Sequence, residues 1–184
     1  MRMSKLATID KSAIRQMTYD DLEMVLAWRN HPEVRRYMYT QHEISLEEHT
    51  QWFEQTTYDD GKHLLIFEYQ DISCGFVSFS EVENSDITEW GFYTSPEAPK
   101  GTGRLLGELA LFYAFAKAGF HKVHGKVIDS NKRSANFHLN QGFNEEGVLR
   151  NNYFDGAEYH DVICFGITKY DWQGMHKSVA VEPK

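Results

Sequence analysis

The amino-acid sequence predicts a single mixed α/β domain, in which four helices flank a mostly antiparallel central sheet of about seven strands. Three observations support this. Strand-like runs come in pairs joined by very short turns, which is typical of antiparallel hairpins. Other segments place apolar residues at helical spacing between capping residues. In the second half, one helix lies between two strands, which indicates a β–α–β crossover. The predicted order is β–α–α–β–β–β–α–β–α–β–β.

Two helices are predicted near the amino terminus. The first begins with Thr18, which can cap it together with Asp21, and ends at Pro32, because the residue before a proline is pushed out of the helical region. The second begins at a capping box formed by Ser45 and Glu48. Strands are then predicted at residues 63–69, 72–82 and 87–93.

The second half opens with a glycine-rich turn and a long helix that ends at Gly119. A further helix begins at Asn131 and is closed by Gly142. Strands are predicted at residues 122–128, 148–154 and 159–167, with an Asp155-Gly156 turn between the last two. The predicted domain covers residues 5–172, and residues 173–184 are predicted to be a loose tail.

Composition excludes several classes of function. The net charge of −8 argues against broad binding to a nucleic-acid backbone. Apolar stretches are far shorter than the roughly 20 residues of a membrane span, and the first residues lack the apolar segment of a secretory signal. The two cysteines, Cys74 and Cys164, lie in apolar strand-like runs and are expected to be buried thiols. We therefore expect a cytoplasmic protein with neither a membrane nor a nucleic-acid partner.

The segment from Lys100 to Leu105 is the first candidate for a binding site. Its glycines allow a tight turn, and the helix that follows presents unsatisfied N–H groups and the positive end of its dipole. Such a turn can bind the phosphates of a ligand. By itself, it is equally consistent with an ordinary glycine-bearing loop before a core helix.

The next helix makes the pattern more specific. The segments KGTGRLLGELAL and NKRSANFHLNQGF lie about 30 residues apart, and together they resemble the acyl-coenzyme A site of the Gcn5-related N-acetyltransferase (GNAT) superfamily. The predicted order of elements also suits that fold. The resemblance implies acetyl-CoA as cosubstrate and no metal.

The resemblance also assigns residues to the coenzyme. Backbone groups of the glycine-rich turn are expected to receive its phosphates, the end of the preceding strand to run beside its pantetheine arm, and the start of the later helix to lie near its thiol. These coenzyme-binding residues are Phe92, Tyr93, Thr94, Lys100, Gly101, Thr102, Gly103, Arg104, Leu105, Asn131 and Ser134.

Two residues are candidates for proton transfer. Many GNAT relatives have a tyrosine seven residues after the asparagine, and it protonates the leaving thiolate. Here His138 occupies that position and could serve as the acid. The alternative is a histidine that only packs or caps within its helix. Glu89, on the strand before the turn, could help to deprotonate the amine or could be a surface carboxylate.

The amino-terminal helices bear on the acceptor. Arg29 continues the apolar face of the first helix, and His49 lies among apolar residues of the second. A charge in such a place is costly unless it meets an anion or a carboxylate. The alternatives are a buried salt bridge for Arg29 and a satisfied core histidine for His49. Cations beside aromatic rings suit a nucleotide diphosphate.

The stretch WRNHPEVRRYMYTQHEIS resembles one branch of the superfamily more closely. Enzymes of this branch N-acetylate UDP-4-amino-4,6-dideoxy-N-acetyl-altrosamine on the bacterial route to pseudaminic acid for flagellin glycosylation. The resemblance implies that Arg29 and His49 hold the diphosphate and that Tyr93 borders the sugar. The residues expected to border the uracil and ribose are Met38, Tyr39, Trp52 and Phe53.

The implied reaction is direct acetyl transfer in a ternary complex, with the carbonyl polarised by a backbone amide of the strand that ends at Tyr93. Two alternatives stay open: a protein α-amine or polyamine acetyltransferase, and a non-catalytic acyl-CoA-binding module. Exposed strands near the carboxyl terminus also allow a homodimer.

Overall fold

The computed structural model describes residues 11–82 and 85–177. Residues 5–10 of the predicted domain and residues 178–184 of the predicted tail lie outside this part of the chain. The boundaries of the predicted domain therefore stay a prediction.

The seven predicted strands are confirmed, and their order along the chain is as predicted. β6 begins at Asn144 rather than at Val148, which is the largest difference from the predicted bounds. The strands are β1 (Ser12–Gln16), β2 (Lys62–Tyr69), β3 (Ile72–Glu81), β4 (Ile87–Thr94), β5 (Lys122–Ile128), β6 (Asn144–Phe154) and β7 (Tyr159–Thr168).

Six α-helices occur in the described residues, where the sequence predicted four. They are α1 (Leu22–Asn30), α2 (Pro32–Arg35), α3 (Leu46–Thr57), α4 (Thr102–Phe112), α5 (Lys132–Asn140) and α6 (Lys169–Lys177). A 3₁₀ turn, Tyr19–Asp21, precedes α1, and a π-helical segment, Tyr113–Ala118, continues α4.

The two additional helices correct the prediction. Pro32 does end α1, but it also starts α2, because proline has a suitable φ for the first helical position and has no N–H to leave unpaired there. α6 extends to Lys177, so residues 173–177 of the predicted loose tail are helical.

The strands form one sheet in the order β1-β2-β3-β4-β5-β7-β6. β1 with β2, β2 with β3, β5 with β7 and β6 with β7 pair antiparallel, and β4 pairs parallel with β5. The predicted hairpin of β2 and β3 turns at Gln70 and Asp71, which have φ values of 54° and 63°. Two positive φ values in a two-residue loop match the backbone twist of a hairpin.

The chain divides into two compact units. Within the described residues, the first contains β1, β2 and most of β3 with α1 and α3. The second contains β5, β7 and β6 with α5 and α6. The main core of the first unit consists of Met17, Leu22, Val25, Trp28, Phe53, Leu64, Ile66 and Phe76. Burying each large apolar side chain contributes roughly 1.5–3 kcal/mol.

Among the described helices, none has both the length and the apolar character needed to cross a membrane.

Candidate active site

A cavity of about 330 Å³ opens in the first unit. It lies among the end of α1, the segment before α3, one face of α3, and the strands β3 and β4. Its lining residues are Arg29, Met38, Thr40, Ile44, Glu48, His49, Trp52, Phe76, Ser78, Gly91, Phe92 and Tyr93. The volume lies within the usual range of small-molecule sites.

Local sequence explains why α3 presents its side chains to this cavity. The hydroxyl of Ser45 accepts a hydrogen bond of 3.1 Å from the N–H of Glu48, which fixes the start of the helix as predicted. His49 and Phe53 are then one helical turn apart on the same buried face. The helix start therefore determines which residues face inward.

Arg29 supplies the positive charge of the cavity, and His49 lies beside it. Burial lowers the pKa of Arg29 from its ordinary value. Burial also lowers the pKa of His49, and the nearby charge of Arg29 lowers it further. The guanidinium Nη2 of Arg29 donates to the carbonyl of Thr40 at 2.9 Å. In contrast, Nη1 of Arg29 and Nδ1 of His49 are buried and have no hydrogen-bond partner in the protein. Each is therefore a candidate to donate to an oxygen of a ligand, Nδ1 of His49 only in a form in which it carries a proton.

Aromatic rings form a continuous series along the cavity. His49 stacks on Trp52 with ring centroids 5.0 Å apart, and Phe76 stacks on Tyr93 at 5.2 Å. Trp52 meets Phe76 edge-on at 6.2 Å. Burial raises the pKa of Tyr93, so its hydroxyl stays protonated and can donate to a ligand near neutral pH. This wall suits a ligand with a flat ring.

Glu48 is the one carboxylate among the lining residues. Both of its oxygens lie 3.1 Å from Nε2 of His42, in the segment before α3. The carboxylate is therefore engaged within the protein and does not bond directly to either orphaned nitrogen.

The structure brings four of the six predicted acceptor residues to this cavity: Arg29, Met38, His49 and Trp52. Phe53 is buried in the core instead, because it lies one turn below His49 on the inner face of α3. Tyr39 is 54% exposed and does not line the cavity.

Sequence reasoning missed several lining residues: Thr40, Ile44, Glu48, Phe76, Ser78 and Gly91. Phe76 and Ser78 alternate along β3, so period-2 reasoning could have placed them on one face. Thr40 and Ile44 lie in an irregular segment, where no periodic signal exists.

The glycine-rich turn has the geometry of a phosphate cradle. Gly101 has a φ of +93°, a left-handed conformation that favours glycine, and the space where its side chain would be is open. α4 begins at the next residue, Thr102. Leu105 is only 5% exposed, so its side chain packs in the core and does not block the turn. Arg104 forms an ion pair of 2.7 Å with Glu108. The N–H groups of Thr102 and Arg104 already donate to the carbonyls of Pro99 and Gly101 at 3.2 Å, so a pyrophosphate in this turn would share them or use the other N–H groups.

The predicted residues of α5 have structural partners. The side chain of Asn131 caps the helix by accepting from the N–H of Ser134 at 3.1 Å. His138 is 2% exposed, and its ring stacks on Phe165 at 4.9 Å. Its Nδ1 lies 2.8 Å from the carbonyl of Ser134. Because a carbonyl only accepts, Nδ1 carries the proton in neutral His138, and Nε2 has no proton to donate.

Burial lowers the pKa of His138, which favours this neutral form. The geometry thus fits the packing role that the sequence left open better than the role of an acid. Glu89 forms an ion pair with Lys126 at 2.9 Å and lies 4.0 Å from His124.

Three residues at the β6–β7 hairpin, Asp155, Glu158 and His160, bring their possible ligand atoms within 4.8 Å of one another. Asp155 already accepts from the N–H groups of Ala157 and Glu158, and bonds to His160 at 2.8 Å. These bonds hold the hairpin, and we assign no metal to them.

Comparison with known proteins identifies the family. Residues 13–144 match the model of the acetyltransferase (GNAT) domain. The chain is 26% identical to acetyltransferase PseH of Campylobacter jejuni over 129 residues, which is 70% of this chain and 80% of that protein. It is 23% identical to spermidine N(1)-acetyltransferase of Escherichia coli over 167 residues, which is 90% of both.

Solved structures agree on the fold. The crystal structure of spermidine N-acetyltransferase from Vibrio cholerae in complex with CoA and spermine has a TM-score of 0.82 and 23% identity, and the match covers 89% of this chain and 99% of that chain. A dodecameric structure of that enzyme has a TM-score of 0.76, with 21% identity over 90% of this chain and 98% of that chain. The chain therefore belongs to the GNAT acetyltransferase family and is an acetyl-CoA-dependent N-acetyltransferase.

Proposed function

We propose that this enzyme acetylates the 4-amino group of a UDP-linked amino-dideoxy sugar, the step that serves pseudaminic acid biosynthesis and flagellin glycosylation in the bacterial cytoplasm. One observation carries the proposal. Arg29 and His49 line the same cavity, and Nη1 of Arg29 and Nδ1 of His49 are both buried and have no hydrogen-bond partner in the protein.

Two buried nitrogens without partners are unfavourable in the free protein. An unsatisfied buried polar group costs about 1–3 kcal/mol, and a charged group costs more. A diphosphate supplies anionic oxygens that bond to both nitrogens and offset the buried charge. The acceptor of this enzyme is therefore expected to carry an anion beside its amine.

A polyamine acceptor fits the cavity less well. A polycation would meet the charge of Arg29 and would need carboxylates to compensate for its own charge. Glu48, the one carboxylate among the lining residues, is already held by His42. The likeness to spermidine acetyltransferases covers most of the chain, so polyamine acetylation is the second candidate function, and spermidine is one of the acceptors to compare.

The aromatic side of the cavity supports a nucleotide acceptor. Trp52 and Met38 provide apolar surface for a uracil ring, and Tyr93 provides a hydroxyl for the sugar. Tyr39 was predicted to border the nucleotide. In this proposal it reaches the ligand only if the ligand extends beyond the cavity.

The coenzyme is assigned to the turn and to the end of β4. Residues Lys100 to Leu105 would hold its phosphates through backbone N–H groups at the start of α4. In the described pairings, β4 pairs with β5 from Ile87 to Glu89. Phe92, Tyr93 and Thr94, at the end of β4, are not part of that pairing. That end of β4 suits an extended pantetheine arm. Asn131 and Ser134 would lie near the thiol.

When bound, acetyl-CoA supplies an activated thioester carbonyl. Arg29 and His49 hold the diphosphate so that the neutral amine of the acceptor faces this carbonyl, and a backbone amide near Tyr93 polarises the carbonyl oxygen. The amine forms the new C–N bond, the C–S bond breaks, and one proton leaves the nitrogen. A cysteine thiol has a pKa of about 8.5, and the thiolate of a comparable alkyl thiol is a tolerable leaving group, so the proposal assigns no acid. Glu89 stays a proposed proton acceptor and would first have to exchange its ion pair with Lys126.

Steady-state release of CoA from acetyl-CoA tests this function. The UDP-linked amino sugar, spermidine and a peptide with a free α-amine are compared as acceptors. We expect kcat/KM for the UDP-linked sugar to exceed the other two by at least about a hundredfold, as site-built polar recognition allows. Preference for spermidine or for the peptide would overturn the proposal.

Arg29→Ala is the matching variant. It should raise the KM of the sugar nucleotide by about tenfold or more and leave the KM of acetyl-CoA within about twofold. Arg36→Ala is the control, because Arg36 is exposed, lies over the ring of Tyr37 and does not line the cavity. An equal loss of affinity for both substrates would indicate that Arg29 is a structural arginine instead.

A further inference from the structure

We propose that Asn30 is a positioning residue for the acceptor, which holds one wall of the cavity in place and thereby aims the guanidinium of Arg29. The inference rests on the proposed function, in which that cavity binds the diphosphate of a nucleotide. The wall segment is the stretch from Thr40 to Ile44, which lies just before α3.

Asn30 is the last residue of α1 and bonds twice to one residue of the wall segment. Its Nδ2 donates to the carbonyl of Ile44 at 2.8 Å, and its Oδ1 accepts from the N–H of Ile44 at 2.9 Å. One carboxamide that satisfies both main-chain groups of a residue fixes the position and the direction of that residue. Ile44 directly precedes Ser45, the cap of α3, so the same bonds also locate the start of the helix that carries His49.

The other end of the wall segment is held by the neighbouring residue of α1. Nη2 of Arg29 donates to the carbonyl of Thr40 at 2.9 Å. Thr40 and Ile44 both line the cavity. The wall segment contains no helix or strand, so these side-chain bonds replace the regular main-chain pairing that would otherwise hold it.

The arrangement makes the free nitrogen of Arg29 dependent on Asn30. The carbonyl of Thr40 holds one nitrogen of the guanidinium and leaves Nη1 buried and unpartnered. Because a guanidinium is planar and rigid, the position of that carbonyl determines where Nη1 points. The two bonds from Asn30 keep the wall segment, and with it Thr40, in register. Support of this kind holds a binding group in its productive geometry before the ligand arrives.

Calorimetric titration of the whole enzyme with UDP tests the inference. Asn30→Ala should weaken UDP binding by about tenfold in the otherwise unchanged protein, since two hydrogen bonds that orient a charged group are lost. In an Arg29→Ala background, the same change should weaken it by less than about twofold, because coupled residues are not additive. An equal factor in both backgrounds, or no change in the first, would overturn the inference.

Controls separate positioning from general damage. Asn30→Asp keeps an acceptor for the N–H of Ile44 but places a second oxygen opposite the carbonyl of Ile44. It should therefore weaken UDP binding as Asn30→Ala does, and it provides the test if Asn30→Ala folds poorly. Thr50→Ala is the matched control: it removes a side-chain bond of 2.8 Å to the carbonyl of Leu46 in α3, and Thr50 does not line the cavity. It should leave UDP binding within about twofold.

Acetyl-CoA titration completes the test. Its affinity should stay within about twofold in Asn30→Ala, and a parallel loss of both affinities would overturn the positioning role. If the unchanged enzyme binds no UDP, the proposed function fails together with this inference. If the unchanged enzyme and Asn30→Ala bind UDP equally, only this inference fails.

Discussion

In its neutral form, His138 has a single N–H to donate, and the carbonyl of Ser134 takes it at 2.8 Å. The position seven residues after Asn131 predicted an acid, but the sequence could not reveal that the ring is stacked on Phe165 inside the core. Arg29 and His49 were predictable for the opposite reason. A polar residue on the apolar face of a predicted helix can be recognised from the sequence pattern alone, before the fold is known.

We expect His138→Phe to keep kcat within about threefold and to lower the free energy of unfolding by about 1 kcal/mol, the usual contribution of one hydrogen bond. Steady-state kinetics and chemical denaturation measure the two effects. A general acid contributes about 10²–10⁴-fold, so a loss of turnover in that range with unchanged substrate binding would restore the acid role.

The same burial makes stability depend on pH. Burial lowers the pKa of both His49 and His138 below the ordinary value of 6.5, and the charge of Arg29 adds to the effect at His49. The unfolded chain therefore binds more protons than the folded one below about pH 6.5, and stability is present above that pH and lost as the pH falls through it. The bond to Asp155 raises the pKa of half-buried His160, which acts in the opposite sense.

We therefore expect the melting temperature to fall between about pH 7.5 and pH 5.5 and to fall less in His138→Phe. Thermal unfolding across this range measures both. If the melting temperature of His138→Phe fell with pH as steeply as that of the unchanged protein, His138 would titrate alike in the folded and unfolded states.

At the scale of elements, a buried ion network fixes the entry to α1. Asp21 accepts from the N–H of Thr18 at 2.8 Å and pairs with the guanidinium of Arg15 at 2.7 and 2.8 Å. Burial opposes the charge of Asp21, but the bonds from Arg15 and Thr18 prevail and lower its pKa. The Thr18 and Asp21 cap was predictable from spacing, whereas the pairing with Arg15 was not, because it joins β1 to the turn before α1.

We expect Asp21→Asn to lower the free energy of unfolding by about 1–2 kcal/mol, because Asp21 loses its charged bonds to Arg15, which is 38% exposed and keeps its pair with Glu68. Asp20→Asn is the control, since Asp20 is the exposed neighbour in the same turn. Urea denaturation compares the two. Equal losses would show that the network around Asp21 contributes nothing specific.

A close approach between β3 and α4 depends on Gly75. A Cβ there would lie 2.6 Å from Cδ1 of Leu106 and 3.0 Å from the carbonyl oxygen of Tyr93. Leu106 is fully buried near the start of α4, so it has little room to yield. No pattern in the sequence distinguishes this glycine from one that only weakens a strand.

We expect Gly75→Ala to destabilise the protein by about 1–3 kcal/mol through overpacking and to weaken acetyl-CoA binding by shifting the start of α4. Gly174→Ala in α6 is the control, because the added methyl meets no atom within 4 Å. Thermal unfolding and acetyl-CoA titration measure the two effects. An alanine at position 75 that leaves both unchanged would contradict the close approach.

At the scale of the whole molecule, the fold was predictable and the acceptor was not. Capping residues, hairpin turns and the crossover are local signals, and they predicted the order of the strands along the chain, whereas the family followed from the resemblance of two motif segments. The helix α2 was missed because Pro32 was interpreted only as a helix-ending residue, and α6 was missed because the stretch from Gly174 onward lacks apolar periodicity. The cavity required tertiary structure, because it is assembled from segments distant in sequence.

The relatives include acetyltransferase PseH and spermidine N(1)-acetyltransferase, and of these two only the second is named for its acceptor. Fold alone does not decide the acceptor. The acidic chain, with a net charge of −8, nevertheless places a half-buried arginine in one cavity, with its Nη1 lacking a hydrogen-bond partner in the described protein. That local contrast is the reason to expect an anionic acceptor. A homodimer through the exposed strand β6 stays a prediction.

A crystal structure of the enzyme with CoA and UDP tests the central claim most directly. The account predicts density for the diphosphate in the cavity, with oxygens about 2.7–3.2 Å from Nη1 of Arg29 and Nδ1 of His49. An empty cavity at saturating UDP, or a diphosphate bound away from both nitrogens, would contradict it.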